Sequence, residues 1–241
     1  LSAGRVQSVA LRMIVERERE IDVFIPVEYW TIAAEFSPNG DKDLFTAKLV
    51  RVNGEEPNLA LEADVTPLLV DMEQAKYTVS KAKKGTRRRN PYPPFTTSTM
   101  QQDASRRLQF TAKRTMRIAQ QLYEGVDVGD GGQTGLITYM RTDSTHVSPV
   151  AQAEAHTYIV EKYGEKYAPK TPPEYRTTTR GAQEAHEAVR PTSVYRTPKA
   201  VKSFLTRDQY RLYQLIWQRF VASQMTSTVY DTISVEIEGS E

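Results

Sequence analysis

Tyr139 and Arg141 stand two residues apart in GLITYMRTDS at 135–144, a run whose apolar residues and short length predict a strand. In an extended segment, residues i and i+2 project from the same face, so the phenol and the guanidinium point the same way. That pairing suits attack on a phosphodiester. A phenol ionises near pH 10 in model peptides and is a poor nucleophile until something helps remove its proton. The charge that builds up on phosphorus-bound oxygens then needs a cation, and a guanidinium offers two parallel hydrogen bonds to phosphate. Asp143 and Ser144 follow as turn or cap formers; Asp143 either orients Arg141 or caps the next helix. Read alone, a tyrosine at this spacing more often packs than reacts.

Three histidines are present. His186, in EAHEAVR at 184–190, brings to mind the zinc signature H-E-x-x-H, but Arg190 occupies the second ligand position and no metal pair exists there. A lone histidine on a helix is usually structural or solvated, and His146 and His156 are read as surface residues. The chain has no cysteine, which excludes disulfides and cysteine-based zinc sites. The net charge of +2 conceals an asymmetry. Between Lys76 and Arg117 twelve Lys or Arg residues face one acid, Asp103, so that stretch carries +11 and leaves −9 for the remainder. A cation cluster of this size suits a polyanionic partner, whose binding would be strongly salt-dependent.

The elements that must position these groups can be read in order. Residues 2–22 predict a helix with Val6, Val9, Ala10, Met13 and Ile14 on one face, Ser2 as N-cap, and Arg12, Glu16 and Arg19 pairing on the other side. Strands are expected at 29–36, 44–52 and 77–82, with an Asn53-Gly54 turn between flanking β residues and a short helix within 59–76. Lys83 to Arg89 reads as a basic loop, and 90–94, with three prolines, as a stiff linker. Helices are expected at 99–108, at 111–123 with Ala112, Met116, Ala119 and Leu122 inward, at 149–163, at 182–188 and at 207–224. Five glycines between 125 and 135 predict a mobile loop, which lacks the Lys-Ser/Thr ending of a phosphate-binding loop. The alternation of Val229, Asp231, Ile233, Val235 and Ile237 predicts a final strand. A sheet, then helices, then one strand makes sense if the last strand returns to the first sheet. At 241 residues there is room for one large or two smaller cores, and no apolar run approaches the ~20 residues of a membrane span.

Four blocks in this order carry a resemblance: LSAGRVQSVALRMIVERERE at 1–20, PFTTSTMQQDASRRL at 94–108, GLITYMRTDST at 135–145 and GAQEAHEAVRPT at 181–192. Together they resemble bacterial DNA topoisomerase I, a type IA DNA topoisomerase. The methionine between Tyr139 and Arg141 is closer to that branch than to topoisomerase III or reverse gyrase. Such enzymes begin with a Toprim domain whose Asp-x-Asp-x-Glu cluster binds magnesium. No such triad occurs here, Asp127-Val128-Gly129-Asp130 having neither the spacing nor the glutamate, and the later zinc-ribbon region has no counterpart. An internal fragment is therefore expected.

The resemblance implies an α+β multidomain fold: a β-rich arch, domain II, interrupted by a mainly helical domain III that carries the tyrosine. It assigns 1–26 to a helix of domain IV, 27–94 to the first part of domain II, 95–224 to domain III, and 225–241 to the strand returning to domain II. It implies Tyr139 as nucleophile forming a 5′-phosphotyrosine, Arg141 as phosphate clamp, and His186 as a DNA-phosphate contact able to move a proton. Ser2, Arg5 and Gln7 would line a single-strand groove; from the residues alone they also read as a helix start. The expected activity is ATP-independent relaxation of negatively supercoiled DNA by cleavage, passage and religation of a single strand. Magnesium would be held by the absent Toprim domain, leaving no metal here and an isolated fragment that relaxes nothing. The remaining expectations are a monomer in the bacterial cytoplasm, associated with the nucleoid and not with a membrane. The rival reading is a non-catalytic DNA-binding module. A tyrosine recombinase fits poorly, because it needs a second catalytic arginine and a tyrosine near the end of a helical domain.

Overall fold

A computed structural model describes residues 4–38, 42–129, 132–175 and 186–240. Helices and strands are mixed, and the chain divides into two compact units, one of residues up to 83 together with 234 onward, the other of 84–233.

The first unit opens with α1 (Arg5–Asp22), whose N-cap is Gly4, so the expected cap at Ser2 gives way to a glycine two residues later. Ser2 itself and the Arg5 side chain lie outside the described residues. The helix ends before Pro26, as the restriction on residues preceding proline requires. Its apolar residues Val6, Val9, Met13 and Ile14 are exposed. Strands β1 (Ala33–Phe36) and β2 (Phe45–Lys48) pair antiparallel with Ala33 opposite Lys48 and Phe36 opposite Phe45. They are shorter than the runs expected from the sequence. Asn53 and Gly54 both take positive φ, 53° and 88°, and close a tight turn in which Val52 and Glu55 exchange backbone hydrogen bonds. Helix α2 (Glu62–Gln74) packs Val65, Leu68 and Met72 against Ile32, Leu49 and Leu59 in a small core.

Strand β3 (Lys76–Arg89) pairs with β6 (Thr228–Ser240), so the final strand does return to an earlier one. Lys83 to Arg89 therefore belongs to a strand and not to a loop. Cationic side chains do not prevent strand formation when both faces meet water and the partner strand supplies the ladder. All of β3 is exposed, and Lys81 meets Glu236 of β6 at 3.3 Å.

The second unit holds the larger core. Helices α3 (Thr97–Leu108), α4 (Ala112–Glu124), α5 (Pro149–Tyr163) and α7 (Arg207–Ser223) surround Met100, Phe110, Leu122, Leu136, Met140, Ile159, Leu212 and Ile216, with α6 (Pro198–Val201) leading into α7. Threonines start four of these helices: the hydroxyls of Thr96, Thr111, Thr197 and Thr206 accept from Thr99 N, Arg114 N, Ala200 N and Gln209 N. In α4 the buried stripe is Thr115, Ile118, Ala119 and Leu122, rotated from the expected one because Ala112 lies in the exposed first turn. Within the glycine-rich stretch, where a loop is expected, β4 (Val126–Asp127) pairs antiparallel with β5 (Gln133–Thr134). Of the expected helix at 182–188, residues 182–185 lie outside the described residues and 186–188 are not helical. No helix among the described residues is long and apolar enough to cross a membrane.

Candidate active site

The stretch 135–147 is extended but is not a regular strand; only Ile137 makes a β-bridge, to Pro191. The reason is that its hydrogen-bonding partners change along its length. At the start, Leu136 N donates to Leu122 O at 2.8 Å, and Thr192 N donates back to Leu136 O at 3.0 Å. Thr138 N donates to Arg190 O at 2.9 Å, while its hydroxyl donates to Ala188 O at 2.7 Å and accepts from Arg190 N at 3.0 Å. Past Tyr139 the partner becomes the first turn of α3. The Thr97 hydroxyl donates to Met140 O at 2.7 Å and accepts from Thr142 N at 2.8 Å, and Thr97 N donates to Thr142 O at 2.8 Å.

Burial alternates along this clamped stretch. Met140, Thr142 and Ser144 are buried, whereas Tyr139, Arg141 and Asp143 are exposed. The i, i+2 placement expected of Tyr139 and Arg141 is thus present without a regular ladder: both turn away from the core, between side chains that anchor it. The Tyr139 ring is 40% exposed and meets Tyr123 of α4 edge to face, centroids 5.3 Å apart. Neither Tyr139 nor Arg141 takes a hydrogen bond among the described residues. Ser144 N bonds Thr142 Oγ1 and His146 N bonds Ser144 Oγ, two successive side-chain turns that carry the chain to α5. The N-cap of α5 is Ser148, so Asp143 does not cap that helix.

His186 is exposed, in the segment that returns beside the tyrosine. Two residues on, Ala188 N donates to His146 O at 2.8 Å, and Val189 N donates to Phe95 O at 2.8 Å. The backbone of 186–192 is therefore laced to 136–146 on one side and to Phe95 on the other. Glu187 and Arg190 hold this segment. Arg190 Nη2 and Nε reach Glu187 Oε2 at 2.6 and 3.0 Å, and Ser148 N donates to Glu187 Oε1 at 2.8 Å. Burial works against ionisation of Glu187, but the Ser148 hydrogen bonds and the Arg190 guanidinium outweigh it and hold the carboxyl below its ordinary value. Arg190, read from the sequence only as the residue that spoils a zinc motif, is a partner in this lock.

Sequence reasoning passed over Thr97, Thr138 and Glu187, which touch the backbone on either side of the candidate groups. Each lies inside one of the blocks that carry the resemblance, at 94–108, 135–145 and 181–192, which is the signal that could have found it. Gln7 lies on exposed α1 in the other unit. His146 contributes a backbone carbonyl and has an exposed side chain, as does His156 on α5. Among the described residues there is no group of three or more His, Cys, Asp or Glu placed to hold a metal ion.

A family model described as DNA topoisomerase matches residues 1–241. A solved structure of full-length topoisomerase I from Thermotoga maritima, in a monoclinic crystal form, is similar to this chain with a TM-score of 0.76 and 38% sequence identity. The match covers 98% of this chain and 36% of that one, so the chain spans about a third of the length of the protein it resembles.

Proposed function

The chain belongs to the bacterial type IA DNA topoisomerase family, a family of isomerases, and from that premise we propose that it carries the strand-cutting tyrosine of such an enzyme. The observation that carries the reading is the alternation that turns Tyr139 and Arg141 outward while Met140 and Thr142 anchor the backbone. Tyr139 Oη attacks a backbone phosphorus of a single DNA strand. The phenolic O–P bond forms as the P–O3′ bond breaks, and the phenolic proton ends on the departing 3′ oxygen. The resulting 5′-phosphotyrosine keeps the energy of the broken ester, so religation is the reverse exchange and needs no ATP. Arg141 holds the non-bridging oxygens as negative charge concentrates on them. His186, on the segment laced to 136–146, contacts a neighbouring phosphate and can pass a proton, as an imidazole can near neutral pH.

Around this step we place the finer arrangement: 27–94 and 225–241 as the β-rich arch, 95–224 as the helical domain that moves away with the bound 5′ end, and 1–26 as a helix of domain IV. Ser2, Arg5 and Gln7 on that helix would line the single-strand groove. Passage of a second strand through the gap then relaxes negatively supercoiled DNA. Any magnesium the reaction uses would be held by the acidic cluster of a Toprim domain. We place the enzyme, as a monomer, in the cytoplasm on nucleoid DNA.

Tyr139→Phe in the complete protein is expected to abolish covalent trapping of a labelled oligonucleotide while leaving binding largely intact. Undiminished trapping removes Tyr139 from this role. Because the chain spans only 36% of the topoisomerase I it resembles, a second, narrower reading takes it by itself as a DNA-binding module. Incubated with supercoiled plasmid and magnesium, the chain alone is expected to relax nothing; relaxation would rule that reading out.

A further inference from the structure

A cavity of about 450 Å³ in the second unit is lined by Arg89, Tyr92, Phe95, Arg107, Arg219 and Tyr230, among others. Three guanidiniums face one carboxylate there, that of Asp103. The three arginines do different work. Arg219 is the brace: its Nε donates to Pro93 O at 2.7 Å, Nη1 meets Asp103 at 3.5 Å, and its Cζ lies 4.7 Å from the Phe95 ring centre and 4.9 Å from that of Tyr92. Arg219 is thus the nearer of the two cations that meet Asp103. Arg107 reaches Asp103 only at 3.9 Å and its side chain is 66% exposed. Arg89, at the end of β3, is exposed, with its Cζ 5.9 Å from the Tyr92 ring centre.

Tyr92 is 61% and Tyr230 48% exposed, so aromatic surface and positive charge share one opening. That combination binds single-stranded nucleic acid: cations follow the phosphates, and π faces accept bases of any sequence. The volume falls in the range of about 300–1,000 Å³ typical of small-ligand clefts, room for a nucleotide and not for a duplex. Its floor is continuous with the reactive segment. Phe95 receives Val189 N, and two residues later Thr97 holds Met140 and Thr142.

We propose that this cavity is a second binding site for single-stranded DNA, in which Arg89 and Arg107 hold successive phosphates and the rings of Tyr92 and Tyr230 stack a base. The proposal rests on the DNA-acting reading above, but it concerns binding and does not depend on Tyr139 chemistry.

The test is fluorescence anisotropy of the chain with a labelled thymidine hexamer, without divalent ions, across 50 to 200 mM salt. For Arg89→Ala with Arg107→Ala, the slope of log affinity against log salt is expected to fall by about 1.4, two phosphates at ~0.7 each. Should that pair of changes impair folding, Arg107→Gln alone lowers the slope by about 0.7. Tyr230→Leu is expected to weaken thymidine hexamer binding by roughly five- to a hundredfold, with no change for an abasic hexamer. An unchanged slope, equal weakening of both hexamers, or no binding at all overturns the site. Loss of trapping in Tyr139→Phe beside an unchanged slope leaves the nucleophile standing and removes this site. Retained trapping beside a reduced slope does the reverse.

Discussion

Thr97→Val puts the clamp on the reactive segment to the test. The change conserves shape but deletes the hydroxyl that donates to Met140 O at 2.7 Å and accepts from Thr142 N at 2.8 Å. Thr142 is 8% exposed and Met140 fully buried, so water cannot readily replace what is lost. One buried amide and one carbonyl left short of a partner, with the Thr97 N to Thr142 O bond retained, cost about 2 kcal/mol. At about 2–4 °C per kcal/mol for a unit of this size, thermal unfolding should come about 4–8 °C earlier. The same energy, at 1.4 kcal/mol per tenfold, should speed exchange of the Thr142 amide roughly thirtyfold if that amide exchanges by local opening. Arg141 lies between the two released groups, so covalent trapping by Tyr139 in the complete protein should slow by about ten- to a hundredfold even well below the melting temperature. Thr97→Ser, which keeps the hydroxyl, should restore both exchange and trapping. Normal trapping by Thr97→Val despite faster Thr142 exchange would refute the claim that this threonine positions the chemistry.

Glu187→Gln removes a carboxylate whose folded value is depressed, so its stabilising contribution is present above its ordinary value of 4.5 and lost as pH falls through the lower folded value. Urea melts should show a loss of about 1–3 kcal/mol at pH 7 and a flatter stability profile than the parent below pH 4.5; parallel profiles would contradict the assignment. Gly135→Ala would set a Cβ 2.8 Å from Tyr123 O, a backbone atom, and should cost about 1–3 kcal/mol by thermal unfolding. Tyr139→Phe keeps the edge contact with Tyr123 and should leave stability within about 0.5 kcal/mol, so that its loss of trapping reads as lost chemistry.

What could be read from the sequence followed the range of the forces involved. Helices α5 and α7 and the Asn53-Gly54 turn are dictated by residues close in sequence, and each lies within a residue of its expected place. Lys83 to Arg89 reads as a loop from sequence and forms a strand because the pairing of a charged run depends on a partner about 150 residues away. The stretch 135–147 is legible in the sequence as a side-chain alternation but not as a hydrogen-bond pattern. Apolar periodicity reports which face is buried, and it is silent on whether the backbone partner is a strand, a helix start or a returning loop. Thr97 and Thr138 therefore looked like ordinary polar residues. Their role depends on where 188–192 and the first turn of α3 come to lie.

Under the proposed reaction, that change of partner bears on how Tyr139 can be both fixed and available. Up to Thr138 the backbone is bonded to 188–192, from Met140 onward to Thr97, and Tyr139 stands at the changeover. Every constraint falls on a neighbour, and among the described residues none falls on the hydrogen-bonding groups of Tyr139 or Arg141. A phenol held by its own hydrogen bond would have to surrender it before attack, and a guanidinium paired with a carboxylate would meet phosphate already neutralised. Holding the flanks instead moves the cost of order to threonine hydroxyls and a Glu187–Arg190 pair to which the proposed reaction gives no chemical role. It follows that weakening the flanks should slow the reaction without altering its products, whereas removing the phenol should leave the flanks intact.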